Sequence, residues 1–403
     1  MPPSNECAHF IPLVTDELVR LCCSDLDAAE GEQLRALAIA VQGSHHLRYH
    51  RRQTDLKTAY APFDPDADAL AVMPLHAVER QHRLNDVRSE LTWLLGRAHY
   101  RHLSGSAFDD VLAEASEWGI RMQVDFSIFS HLAVFVRSED FEQRTLCNWR
   151  TLFRPRQIDV PIFRRLVLAF QLRSGTTLLP TICPDHVYLK LFKDIPRADV
   201  DMLLPGARVR LELLDLGKLG VGVLTGLGTM SYRVLTQMAD FFRTIVEPGM
   251  ILWGLTAGVV SYAYKSYFDY QTTQQRYHLS LTQSLYFQNL DSNIGVLTRL
   301  FDEAEEQETR TALLGYFCLL RHAGDTGVSA DSLESAMGMY LDRYAGVPLM
   351  CQPGVVVDLL DRLALIRRHA DSLFPVPLEA AVEAVRSATG THLPRPAQSS
   401  TTG

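Results

Sequence analysis

The sequence has no Cys-x-x-Cys pair, no run of clustered Lys and Arg, no Gly-x-x-x-x-Gly-Lys-Ser/Thr, no Gly-x-Ser-x-Gly and no His-Glu-x-x-His. Each absence closes a class. Seven cysteines (Cys7, Cys22, Cys23, Cys147, Cys183, Cys318 and Cys351), an odd number, supply neither a zinc framework nor a dithiol centre and read as reduced thiols facing a cytosol-like compartment. Cys22 and Cys23 fit small apolar positions on a first helix. A formal net charge of -8 argues against a protein that grips phosphate backbones, because that affinity comes from clustered cations that release counterions. Nucleic acid is therefore not an expected partner. Met1 to Leu13 lacks the basic and apolar regions of a secretory signal. Without a nucleotide loop, a nucleophile elbow or a zincin helix, no catalytic residue, metal ligand or cofactor is assigned.

What is present describes an α+β protein. With 403 residues, 47% of them hydrophobic, the chain is long enough for two or three units with real cores. Leu18, Leu21 and Cys22, then Leu34, Leu37, Ala38 and Val41, recur at helical spacing until Pro62, and further helices are expected from Pro74 to Tyr100 and from Ser106 to Trp118. Residues 1–119 thus form a helical N-terminal region. From Arg121 the period becomes two: Leu132, Val134 and Val136, then Leu166, Leu168 and Phe170, then Val187, Leu189 and Leu191. These predict a small, mostly antiparallel β unit over 120–215, with a short helix from Pro196 to Leu204.

Two uncharged segments, Leu219 to Tyr232 and Pro248 to Tyr264, carry Gly222-x-x-x-Gly226 and Gly254-x-x-x-Gly258, the small-residue spacing of packed membrane helices. They predict a two-helix membrane hairpin over 216–267. Arg208, Arg210, Lys218, Lys265 and Arg276 flank its outer ends and place both termini on the cytoplasmic, or mitochondrial matrix-equivalent, side. The lipid bilayer is then one partner, and the glycine pattern allows a homo-oligomer. A long amphipathic helix follows over 268–308, with a seam of Leu290, Ile294, Leu297, Phe301 and Ala304. Its acids from Asp302 to Glu308 are read as a solvated face. Three helices and a two-stranded wing make residues 309–388 winged-helix-like, and residues 389–403 read as a disordered tail.

Few polar groups suggest a site. His46 and His50 lie one turn apart, but Arg48, Arg51 and Arg52 beside them repel a cation, and a plain helix face is expected. Asp64, Asp66 and Asp68 begin like a calcium loop without its glycine and closing glutamate, so turn chemistry explains them. Asn289 and Asn293 beside an apolar seam are either helix-surface amides or groups that anchor a polar network or coordinate an ion. The candidate ligand-binding set is Lys193, Asp194, Arg197, Asp64, Asn289 and Asn293, with no metal ligand.

Three stretches carry a likeness: Tyr49-His50 through Tyr60-Ala61-Pro62-Phe63-Asp64-Pro65-Asp66, Leu189-Lys190-Leu191-Phe192-Lys193-Asp194-Ile195-Pro196-Arg197, and Tyr286-Phe287-Gln288-Asn289-Leu290-Asp291-Ser292-Asn293. Together they resemble the transmembrane protein 143-like family, which is defined by a domain of unknown function. The resemblance implies an integral membrane protein with a pair of spans, and no established activity or catalytic residue; Arg233 interrupts the first span here. Two functions stand open. One is a non-enzymatic, membrane-anchored scaffold that binds other proteins through its soluble lobes. The other is an enzyme or binder of a lipid or small ligand at the membrane surface, with Lys193, Asp194 and Arg197 as its polar cluster.

Overall fold

The computed structural model describes residues 10–67, 76–113, 121–146, 156–175, 182–210, 261, 264–265, 287–346, 353–369 and 371–392. Its helices, in chain order, are α1 (Thr15–Ser24), α2 (Ala28–Tyr60), α3 (Ala77–Arg97), α4 (Ser106–Ala113), α5 (Ile294–His322), α6 (Ala330–Ala345), α7 (Pro353–Arg362) and α8 (Leu378–His392). Its strands are β1 (Arg101–Leu103), β2 (Arg121–Gln123), β3 (Phe129–Leu146), β4 (Arg156–Leu172), β5 (Tyr188–Pro196), β6 (Arg208–Arg210), β7 (Asn289–Ser292), β8 (Ile366–His369) and β9 (Ser372–Pro375). The chain divides into two compact units, one made of Met1–Asp109, Ser127–Arg197 and Leu290–Gly403, the other of Asp110–Phe126 and Ala198–Asn289. In the second unit β2 pairs antiparallel with β6, Met122 opposite Val209.

The first unit holds a five-stranded sheet of order β1-β3-β4-β5-β7. β1 with β3, β3 with β4 and β4 with β5 are antiparallel, and the central pair runs from Phe129 opposite Leu172 to Leu146 opposite Arg156. Because side chains alternate along a strand, Phe135, Val167 and Leu191 stand in one row and Ala133, Ala169 and Leu189 in the next. These rows pack against Tyr49, Leu56 and Tyr60 of α2, Leu84 to Leu95 of α3, and Val296 to Ala304 of α5. A second core joins α1, the first half of α2, Ala312 to Leu319 of α5, and the C-terminal elements α6, α7, β8, β9 and α8. Helices α2 and α5 run through both cores.

Local chemistry explains these two helices. The Asp27 side chain accepts from the Glu30 backbone N–H at 2.8 Å and caps the start of α2, and Pro62 stands just past its end, inside a 3-10 turn over Ala61–Phe63. α5 meets α7 at Gly315: a Cβ there would lie 2.9 Å from Val356 Cγ1. Only a residue without Cβ lets the helices approach this closely.

Several expectations are corrected. Among the described residues no helix is long and apolar enough to cross a membrane. That finding overturns the membrane hairpin of the expected fold, its transmembrane helices, and the integral-membrane localisation with its cytoplasmic-side termini. Apart from Ser261, Tyr264 and Lys265, the hairpin residues 216–267 lie outside the described residues, as do both glycine patterns on which an oligomer was expected. The long helix expected over 268–308 is corrected at both ends of its described part: β7 occupies Asn289–Ser292, and α5 begins at Ile294 and continues unbroken to His322. Helix α8 also extends past Thr389, whose hydroxyl donates to Val385 O at 2.7 Å and bonds Ser44 Oγ at 2.8 Å.

Candidate functional site

Two polar centres organise the first unit, and the sequence had pointed at only one. The first joins the three sequence stretches. Tyr60 donates its hydroxyl to Val187 O at 2.7 Å, and Val187 N–H donates to Phe63 O at 3.0 Å, which ties the turn after α2 to the start of β5. Asp64 Oδ1 accepts from the Asp66 N–H at 3.1 Å, the local turn expected of such residues. Burial pushes the Asp64 carboxyl up from its ordinary range, and the bond from Asp66 pulls it back.

Asn293 closes this centre. It is 2% exposed and precedes α5 with φ +49°, a conformation asparagine adopts more readily than most residues. Its side chain donates to Asp66 Oδ2 at 2.5 Å and accepts from the Leu189 N–H at 3.1 Å, while its backbone N–H donates to Leu189 O at 2.8 Å. Lys190 Nζ donates to Ser292 Oγ at 2.7 Å alongside. Every one of these bonds joins two parts of the chain, so the arrangement is a structural knot that holds the α2 turn, β5 and the start of α5 together.

The second centre lies between the two cores, where α5 is polar yet buried: Gln307, Glu308, Thr309, Arg310 and Thr311 are each no more than 7% exposed. The Gln307 amide grips the backbone of Ile11 at both ends, accepting from its N–H and donating to its carbonyl, each at 3.1 Å. Glu308, on the same turn, is 5% exposed and takes three guanidinium groups. Arg48 of α2 bonds Oε2; Arg97 of α3 lies 3.1 Å and Arg362 of α7 3.6 Å from Oε1. Burial alone would raise this carboxyl, but the charges of Arg48, His45, Arg362 and Arg97 outweigh it and hold it below its ordinary value. His45 is 1% exposed with Nδ1 2.9 Å from Thr309 Oγ1, and burial pushes it down to about 4, Glu308 opposing the shift and Arg48 and Arg362 adding to it. The expected solvated acid face is therefore wrong at Glu308, and four helices meet on this one carboxylate.

The six residues singled out from the sequence divide. Asp64 and Asn293 belong to the knot, linked through Asp66. Asn289 is exposed at the start of β7. Lys193 and Asp194 stand farther along β5, Lys193 opposite Arg165 and roughly 13 Å from Leu189 at strand rise; Asp194 has φ +50°, and Arg197 opens the 3-10 helix Arg197–Leu203. No metal-holding group of His, Cys, Asp and Glu occurs among the described residues. The model of a family described as protein of unknown function (DUF3754) matches residues 152–295. That span carries β4, β5, the Lys193 to Arg197 stretch and Asn293. No solved structure matches the chain.

Proposed function

We propose that this chain is a non-enzymatic interaction protein whose C-terminal elements bind protein rather than DNA. The order α6, α7, β8, β9 and α8, following the end of α5, is that of a winged helix. In a DNA-reading winged helix the last helix before the wing enters the major groove and needs Arg, Lys, Asn or Gln pointing at base edges. The observation that carries our reading is the orientation of α7. Val356, Val357, Leu359 and Leu360 are buried, with Val356 seated against Gly315 of α5, while Asp358 and Asp361 face outward. The outward helix face would set two carboxylates against a polyanion, and Arg368 of the wing is engaged with them, 3.2 Å from Asp361 and 3.7 Å from Asp358.

The likeness to the transmembrane protein 143-like family belongs to this proposal as well. It rests on the three stretches that meet at the knot. The full chain, titrated with mixed-sequence duplex at ~0.15 M salt, binds no tighter than the ~10⁻⁴–10⁻⁶ M of nonspecific association, and any binding weakens steeply with salt. Sequence-dependent binding that resists salt would overturn the reading.

A further inference from the structure

A cavity of about 540 Å³ lies beside the Glu308 centre, walled by the end of α3, the start of β1, α5 and α7. Its volume falls within the range of small-molecule sites. Three features of the lining and of the groups behind it are unexplained by the fold alone. Glu308 Oε1 lies close to Arg97 and Arg362 yet makes no hydrogen bond among the described residues, although its side chain is 95% buried. Arg97, which lines the cavity, shares Glu308 with Arg48 and Arg362, which stand outside the lining, so three guanidinium groups meet one carboxylate at the cavity wall. Gly96, inside the last turn of α3, has ordinary helical φ and no atom within 4 Å of where a Cβ would stand. A helical glycine is less stable than alanine, and neither close packing nor backbone conformation calls for one here. It leaves the cavity open.

The walls divide by chemistry. Val355, Val356 and Leu359 of α7 make an aliphatic side, and Trp93 contributes an indole, while Arg97 spans the cation cluster and the cavity. We infer that this cavity is a binding site for a small organic anion, a carboxylate or phosphate headgroup on an apolar body. The headgroup meets the excess guanidinium charge, and the apolar body lies along the α7 side.

Calorimetric titration of the full chain with 2-naphthoate, decanoate and phenyl phosphate separates aromatic, acyl and phosphate sources, with 2-naphthalenemethanol as the neutral counterpart. At least one anion binds saturably at one site per chain, and the neutral compound binds at least about tenfold more weakly. Gly96→Leu, which fills the space, and Val355→Glu, which adds a carboxylate at a position 40% exposed, each weaken that anion at least about tenfold with helix ellipticity unchanged. Absence of saturable binding by all three anions would overturn the inference. So would equal binding of the neutral compound, or undiminished binding by Gly96→Leu.

Discussion

The buried imidazole of His45 makes a quantitative demand on stability. Its folded value of about 4 lies well below the ordinary 6.5, so between those values the unfolded chain binds a proton that the folded chain refuses. Stability is then complete above about pH 6.5 and is lost as pH falls toward 4, at about 1.4 kcal/mol per pH unit, or about 3 kcal/mol across the window. The group is 1% exposed, so solvent screening reduces this little. The groups that set it are the burial itself, Glu308, Arg48 and Arg362, with Thr309 fixing the ring through Nδ1. His45→Asn keeps a polar atom near the Nδ1 position and removes the titration. Urea unfolding of both proteins from pH 7 to pH 4, followed by helix ellipticity, should show their stability difference shifting by about 3 kcal/mol in favour of the variant on acidification. Parallel curves would refute the neutral, buried imidazole and with it the placement of His45 against the Glu308 cluster.

Other perturbations test the two centres. Glu308→Gln leaves Arg48, Arg97 and Arg362 without their shared counter-charge and should destabilise by about 3 kcal/mol in the same urea assay. Asn293→Ala removes the bonds to Asp66 and Leu189 and puts alanine at φ +49°; a loss of about 3 kcal/mol is expected, with faster amide exchange at Leu189. Gly315→Ala gains helix propensity worth about 1 kcal/mol but drives a Cβ to 2.9 Å from Val356 Cγ1, so a net loss of about 1 kcal/mol is expected, smaller when introduced into Val356→Ala.

Parts of this fold could be read directly from the sequence. The alternating Leu132, Val134, Val136 and Leu166, Leu168, Phe170 fall on β3 and β4, where an antiparallel sheet was expected, and the residues between them, Phe135, Val167 and Ala169, are buried as well because both faces of this part of the sheet are covered. The helical spacing from Leu34 to Leu56, ended at Pro62, matches α2 at period 3.6. The acidic run from Asp302 misled at its end, Glu308. Composition reports average polarity, and a polar helix turn normally faces water; here α5 is flanked by α2, α3, α7 and the Ile11 segment, so Gln307 and Glu308 are paired inside while Asp302 and Glu306 stay exposed. Those partners lie far away in sequence: Arg48 is separated from Glu308 by 260 positions. No local pattern can expose such a pairing. Asn293 was legible as unusual beside an apolar seam, but its partners Asp66 and Leu189 only meet through the β5 to β7 edge of the sheet. The glycine spacing that suggested a membrane hairpin is a weak signal, since small residues also permit close packing within a folded core, as Gly315 does.

The claim that the C-terminal elements serve as a protein-binding surface meets its most direct test in site-specific photo-crosslinking. A photoreactive residue is placed at Met339 on α6, which is 66% exposed, or at Asp358 on α7, whose side chain is 74% exposed, in the full chain expressed in its own cells. The account predicts discrete adducts whose mass shift is removed by protease and untouched by nuclease, at one or both positions. Adducts removed by nuclease, or none above the level of a control position at Leu47 on α2, would contradict it.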